Sequence, residues 1–276
     1  MKKIRWIVQE NNYATADRDK IIAACQQLQL PYELVQVIPF ATTLPDFSID
    51  KHHENIYYGS TTMMERVYND LGQPAGLFYD ETTFTMGNYI NQWKASMLSS
   101  EGEVLIFKQL RERDYPQDTR FFIRPNADSK AFAGMVLTFA EIKSWYDKVV
   151  QNEAETVNAT TEIFFSTAYH IEKEWRNIVV NGKVVTSTAY RKSFELYKSA
   201  TDVPPEMIRF VEERCREYQP HDIFAMDVAK CSGEHEYYII ECGCANSIGF
   251  YHCDIFAYVK HIGEFLAAKI NNKHQA

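Results

Sequence analysis

The chain has 276 residues and a formal net charge of -8, with 46% hydrophobic, 24% charged and 14% aromatic residues. That composition excludes a disordered chain and suits two or three lobes built around hydrophobic cores. It also lacks the basic field that draws a protein onto phosphate backbones, and no long basic run replaces it, so no nucleic-acid partner is expected.

The first apolar run, Ile4 to Val8, breaks at Gln9-Glu10-Asn11-Asn12, too early for a signal peptide, and reads as a strand. No apolar stretch reaches the roughly 18 residues of a membrane helix, so no membrane partner is expected and a cytoplasmic location follows as the default. A helix is predicted over Ala16–Leu28 with Thr15 as its cap, then strands over Tyr32–Phe40 and Asn55–Tyr58. Ser60 caps a helix bearing Met64, Val67 and Leu71. Gly76–Tyr79 reads as a fourth strand and Asn88–Ser99 as a helix. Strand and helix in alternation predict a small parallel α/β domain over residues 1–100.

The texture then changes. Val104–Phe107 and Arg120–Arg124 read as strands, and Pro125–Gly134 as a loop of small and polar residues. Thr138 to Glu141 has capping-box form and opens a helix to Val150. Glu162–Thr167 is a strand. His170–Val180 and Lys183–Tyr190 flank Asn181-Gly182, a strong hairpin signal. Pro204-Pro205 precedes a helix with Met207, Ile208, Val211 and Cys215 on one face. Ile223–Val228 and Tyr237–Glu241 form a second antiparallel pair, and Asp254 caps a final helix carrying Ile255, Val259, Ile262, Phe265, Leu266 and Ile270.

Four features carry chemistry. Arg124 and Lys130 bracket a loop whose small residues let backbone amides approach phosphate, or are simply solvated. Glu174 and Arg176 share a strand face, with Arg191 at the far end of the hairpin; a cross-strand ion pair is the alternative reading. Asp227 and Glu241 each interrupt an apolar strand. A carboxylate there must be paired or bound to metal, and two facing each other across a hairpin suit magnesium or, alternatively, a salt bridge.

In this order, Arg-Pro…Lys…Gly, Glu-Trp-Arg with a valine-rich hairpin, Met-Asp-Val, and Ile-Ile-Glu…Asn…Gly, the motifs resemble the ATP-grasp superfamily. They are most similar to its compact phage and bacterial members of mostly unassigned substrate. The resemblance spans about residues 100–255. It implies an α/β (α+β) chain: an N-terminal domain at 1–100, a small nucleotide-binding lobe at 101–165 and a large one at 166–276. It further implies ATP and Mg2+ as cofactors. Arg124, Lys130, Phe165, Glu174, Arg176 and Arg191 would contact ATP, with Lys130, Arg176 and Arg191 acting in catalysis. Asp227, Glu241 and Asn246 would hold the metal. The usual ending is Glu-x-Asn, but Gly243 stands where asparagine is expected, and Asn246 is the nearest substitute.

The implied reaction is carbon–nitrogen ligation through an acyl phosphate. Its partners would be a small-molecule or peptide carboxylate and an amine acceptor. A regulatory MgATP-binding module and a kinase-type phosphotransferase are the alternatives. If Asp227 and Glu241 are ligands, losing one charge should leave apo stability nearly unchanged, because like charges repel. The loop Asn126–Ala133 would be a phosphate lid carrying Lys130. His53, Tyr57, Tyr58, Thr61 and Thr62 are acceptor-pocket candidates or ordinary strand-end residues. Cys231, His235, Cys242, Cys244, His252 and Cys253 offer a rival zinc site, although no Cys-x-x-Cys pair is present.

Overall fold

The computed structural model describes residues 3–12, 14–38, 43–45, 47, 52–128, 131–151, 156–233 and 236–273. Its first sheet is parallel, in the order β2-β1-β3: β1 (Lys3–Gln9), β2 (Tyr32–Val35) and β3 (His53–Tyr58). Helices α1 (Thr15–Gln27) and α2 (Thr61–Leu71) follow β1 and β3. β1 is buried from Ile4 to Gln9, as a central parallel strand covered on both faces must be. Ser60 caps α2 as predicted, its hydroxyl accepting from the Met63 amide. Thr15 does not cap α1. Instead the Asn12 side chain accepts from the Ala14 amide, one residue before the helix.

Gly76–Tyr79 forms no ladder. It runs beside β3 and shares a single bond, from the Tyr57 amide to the Gly76 carbonyl. A Cβ at Gly76 would stand 1.8 Å from the Asn55 carbonyl oxygen, so the approach excludes any other residue. Next come α3 (Met86–Trp93) and one 3-10 turn, Lys94–Ser96, in place of a single helix to Ser99.

The second sheet is antiparallel, in the order β4-β7-β5-β6: β4 (Glu103–Ile106), β5 (Arg120–Pro125), β6 (Met135–Thr138) and β7 (Glu162–Thr167). Helices α4 (Phe107–Arg111) and α5 (Phe139–Val150) cover it through Phe107, Leu110, Ile123, Phe139, Ile142, Ile163 and Phe165. The capping box at Thr138 and Glu141 is present. β6 and α4 escape the sequence pattern because each is too short to show a period.

The third sheet has the order β10-β9-β8-β11-β12: β8 (Ile171–Val180), β9 (Lys183–Lys192), β10 (Glu195–Ser199), β11 (Ile223–Cys231) and β12 (Tyr237–Gly243). Asn181 and Gly182 turn the β8–β9 hairpin at φ 49° and 73°, the left-handed pair of a type I′ turn. α6 (Pro205–Glu217) packs on one face with α3, through Met207, Val211, Tyr89 and Trp93 against Trp175, Phe224 and Met226. The last helix, α7 (Ile255–Lys273), covers part of the other face, on Ile178, Val180, Ile223 and Ala225. Its Tyr258, Val259 and Ile262 also reach Ile4, Trp6 and Val8, so one core joins the first and third sheets. Among the described residues, no helix is long and apolar enough to cross a membrane.

Asn246 pins that junction. It follows β12 in a 3-10 turn and is fully buried. Its amide donates to the Tyr57 and Gly76 carbonyls at 2.6 and 3.0 Å and accepts from the Phe78 amide at 2.6 Å. This corrects the expectation of a metal ligand, because the side chain is spent on three backbone groups. Asn246→Ala removes all three bonds at once and should cost about 3 kcal/mol in urea unfolding.

Candidate active site

The third sheet aligns three charged residues across three strands. Arg176 on β8 lies opposite Asp227 on β11, and Asp227 lies opposite Glu241 on β12. Opposed residues share a face. Val228 then pairs with Ile239, so Ile240 bulges and lets Glu241 keep its place beside Asp227.

Arg176 grips Asp227 in a fork, Nε to Oδ1 at 2.9 Å and Nη2 to Oδ2 at 2.7 Å, and its Nη1 donates to the Gly249 carbonyl at 2.9 Å. Asp227 is 2% exposed. Burial pushes its carboxyl above the usual range, with Arg176 pulling the other way. Burial also works against the Arg176 charge, but Asp227 outweighs it and raises the guanidinium above its ordinary value. The guanidinium packs over Tyr190 and Tyr251, whose rings stack at 4.8 Å and 10°.

Glu174 stands opposite Arg191 and is buried. It accepts from the Tyr190 hydroxyl at 2.5 Å and from Arg191 at 3.4 Å. Burial raises its carboxyl above the ordinary 4.5, with the Tyr190 and Arg191 contacts opposing. From the second sheet, buried Arg124 on β5 donates to Glu241, joining the two sheets.

These residues wall a cleft of 570 Å3. Arg124, Glu174, Arg176, Arg191, Asp227 and Glu241 form its charged end, while Leu98, Phe122, Val136, Ile171 and Ile240 form an apolar end. A smaller cavity of 240 Å3 adjoins the carboxylates, lined by Asp128, Arg176, Asp227, Glu241 and Tyr251. Three arginines converging in an acidic chain suit phosphate, and flat apolar walls suit a base. Asp227 and Glu241 are hard oxygen donors side by side on that cleft, a donor set that fits magnesium.

Six predicted site residues therefore meet. Phe165 does not reach the cleft. Its side chain sits in the core under α5, and its strand is paired on both sides; Thr167, beyond it, lines the cleft instead. Lys130 lies outside the described residues. The loop around it is anchored at both ends, where Asn126 bonds Gly87, Met86 and Glu162 and Phe132 packs on Trp145. Tyr57 and Tyr58 are ordinary buried strand residues, and His53 opens the same strand. Asp128, Tyr190 and Tyr251 were not anticipated. The only one-dimensional hint is Asp128's place in the small-residue loop.

The zinc alternative fails among the described residues. Cys231, Cys242, Cys244 and Cys253 are buried in four different apolar clusters, and no three metal-ligating groups converge. Burial holds the Cys253 thiol up at about 12 and raises that of Cys242 well above its ordinary value. His235 lies outside the described residues.

The buried fork with Arg176 speaks against the expectation that losing the Asp227 charge leaves apo stability nearly unchanged, and favours the salt-bridge alternative for the empty site. Asp227→Asn strands the Arg176 charge and should cost about 3 kcal/mol in urea unfolding. Glu174 has the opposite sign of linkage from a salt-bridged surface acid. Its raised carboxyl gives stability that is full below the unfolded value and is lost as pH rises through the folded one. As the pH rises from about 4 through and above the ordinary 4.5, Glu174→Gln should therefore gain on the native protein. A difference that stays constant across that range would remove Glu174 from the linkage.

No curated protein matches the chain in sequence. Solved structures similar in fold include an ATP-grasp RimK domain protein from Sphaerobacter thermophilus DSM 20745. It has a TM-score of 0.59 and 10% identity, over 95% of this chain and 99% of that one. The D-alanine–D-alanine ligase of Bacillus anthracis has a TM-score of 0.57 and 11% identity, over 99% and 100%. A RiPP-associated ATP-grasp ligase from Chryseobacterium gregarium, in complex with ADP and a leader and core peptide, has a TM-score of 0.57 and 12% identity, over 98% and 97%. At these identities the likeness speaks for the fold alone. The family model for "ATP-grasp domain, R2K clade family 2" matches residues 102–261, more than half of the chain and all of the cleft's charged end, and the chain belongs to that family.

Proposed function

We propose that the chain is an ATP-dependent ligase that activates a carboxylate as an acyl phosphate and joins it to an amine. The observation that carries this reading is the row Arg176–Asp227–Glu241, closed by Arg124 from the opposite sheet, at one end of a cleft with an apolar far end. The base of ATP takes the apolar end, between Phe122 and Ile240. The phosphates take the arginine end.

Phosphate oxygens compete with Asp227 and Glu241 for Arg176 and Arg124. Each arginine that turns to phosphate releases a carboxylate that stays in the site, so the charge the phosphates add has to be met by a cation. Magnesium, held by the released Asp227 and Glu241, would supply charge neutralisation on the phosphates. The substrate carboxylate oxygen attacks the γ-phosphorus in line, and the bond to the ADP oxygen breaks. The amine then attacks the acyl carbon, gives up a proton and expels phosphate. No side-chain nucleophile is needed. The chain contributes orientation, through the Arg176 fork packed against Tyr190 and Tyr251, and charge, through its arginines.

The cavity beside the carboxylates is where the acceptor meets the activated group. Its 240 Å3 admits a small molecule or the end of a peptide. Structural neighbours offer both precedents, one a D-alanine–D-alanine ligase and one in complex with peptides.

The test is ADP release in a matrix of carboxylates, short peptides and amines. Release that requires both a carboxylate and an amine supports the ligase. Release with a hydroxyl substrate and a stable phosphorylated product would reassign the chain to a kinase-type transfer. Nucleotide binding without turnover would make it a regulatory module. Glu241→Gln should lower turnover about 100-fold or more while weakening ADP far less, because the lost charge matters most as phosphoryl transfers.

A further inference from the structure

Two hairpins of the third sheet turn through two residues each, between Val180 and Lys183 at β8–β9 and between Lys192 and Glu195 at β9–β10. Both turns hold two successive residues in the left-handed region, Asn181 and Gly182 at φ 49° and 73°, Ser193 and Phe194 at φ 48° and 69°. The first pair suits that backbone. The second does not, because a Cβ is crowded by the neighbouring carbonyl there and a large side chain rarely tolerates it. Phe194 is also 58% exposed, so burial in a core does not offset the strain.

The two turns differ in what they face. A Cβ at Gly182 would meet Gln219 and Cys215, beside the end of α6. Phe194 instead lines the 570 Å3 cleft. Its position follows from the strands that carry it. Arg191, opposite Glu174, belongs to the charged end, and the chain turns just beyond it. The Ser193 amide donates to the Glu172 carbonyl at 2.8 Å, and the Phe194 ring meets His170 edge-on at 5.1 Å and 68°. The turn is therefore seated on the start of β8, where Ile171 lines the apolar end. Phe122 and Ile240 give that end a wall from each sheet, and Phe194 adds a ring from the rim.

Resting on the nucleotide reading of this cleft, we infer that Phe194 covers the base of the bound nucleotide from the rim, and that the β9–β10 turn carries an ill-suited residue because the ring is needed there. An aromatic ring and a base attract each other face to face, whichever base it is. Both also lose exposed apolar surface when the nucleotide binds. The ring stands on a tight two-residue turn, so little conformational freedom is lost when the base arrives. Phe194 thus holds the base and sugar end, while the arginines hold the phosphates.

The experiment titrates ADP and, separately, inorganic pyrophosphate by calorimetry in one magnesium buffer, and records Tm for the nucleotide-free proteins. Phe194→Asn removes the ring and puts in a residue that accepts the left-handed region. It should weaken ADP about tenfold, leave pyrophosphate within about twofold, and raise Tm by about 2 °C or more. Phe194→Trp keeps an aromatic face and should bind ADP within about twofold of the native protein. An ADP loss as large in Phe194→Trp as in Phe194→Asn overturns the inference, and so does pyrophosphate weakened as much as ADP. A Tm that falls in Phe194→Asn also overturns it, since the ring would then be a support of the turn. ADP bound by the native protein and equally by Phe194→Asn overturns the inference and leaves the nucleotide reading standing. If the native protein binds neither ADP nor pyrophosphate, that reading fails and the inference falls with it.

Discussion

A charge that is taken out of water must be neutralised where it stands, and this requirement organises the centre of the molecule. Asp227 lies inside the third sheet, and its neighbour on each flanking strand is charged, Arg176 on β8 and Glu241 on β12. The row balances only if Arg124 arrives from the second sheet to meet Glu241. Removing any member leaves an uncompensated charge of the kind that costs several kcal/mol in an interior. The placement of the two lobes, the bulge at Ile240 and the turn that presents the Gly249 carbonyl to Arg176 all serve this one row.

The same sheet face is apolar at one end and charged at the other, and α7 explains the change. Where α7 lies on the sheet, Ile178, Val180, Ile223 and Ala225 are buried under it. Beyond its reach the face opens on the cleft, and Arg176, Asp227 and Glu241 take over. Along β11 the alternation runs on from Ile223 through Ala225 to Asp227; only the covering changes. Because α7 also packs on β1, the N-terminal sheet is tied to the floor of the cleft, and the Asn246 amide completes the attachment just past β12. An acceptor in the cavity would therefore sit on a framework built from both ends of the chain.

The arginine–carboxylate pairs also bear on how a nucleotide could be held. Phosphate arriving at an arginine already committed to a carboxylate leaves that carboxylate in the cleft, so a nucleotide is better received together with a cation than alone. The stacked rings of Tyr190 and Tyr251 lie beside the Arg176 guanidinium and pack against it.

Local rules in the chain determined much of this. Asn181-Gly182 set the β8–β9 turn, though not the two register shifts that bring Glu174 opposite Arg191; the apolar runs broken by Asp227 and Glu241 marked two facing carboxylates; Ser60, Thr138 and Asp254 marked their helix starts. Each of these depends on residues within a turn or a hairpin, where spacing dictates geometry. What only the tertiary structure decided involves contacts between segments far apart in sequence. Asn246 turns away from the metal site because backbone groups of Tyr57, Gly76 and Phe78 need its amide more than 160 residues away. Phe165 turns into a core because β7 is flanked on both sides, and Asp128 comes to Gly243 because two lobes close on each other. Periodicity tells a strand which face a side chain takes, but not what another strand, folded from elsewhere, will place in front of it.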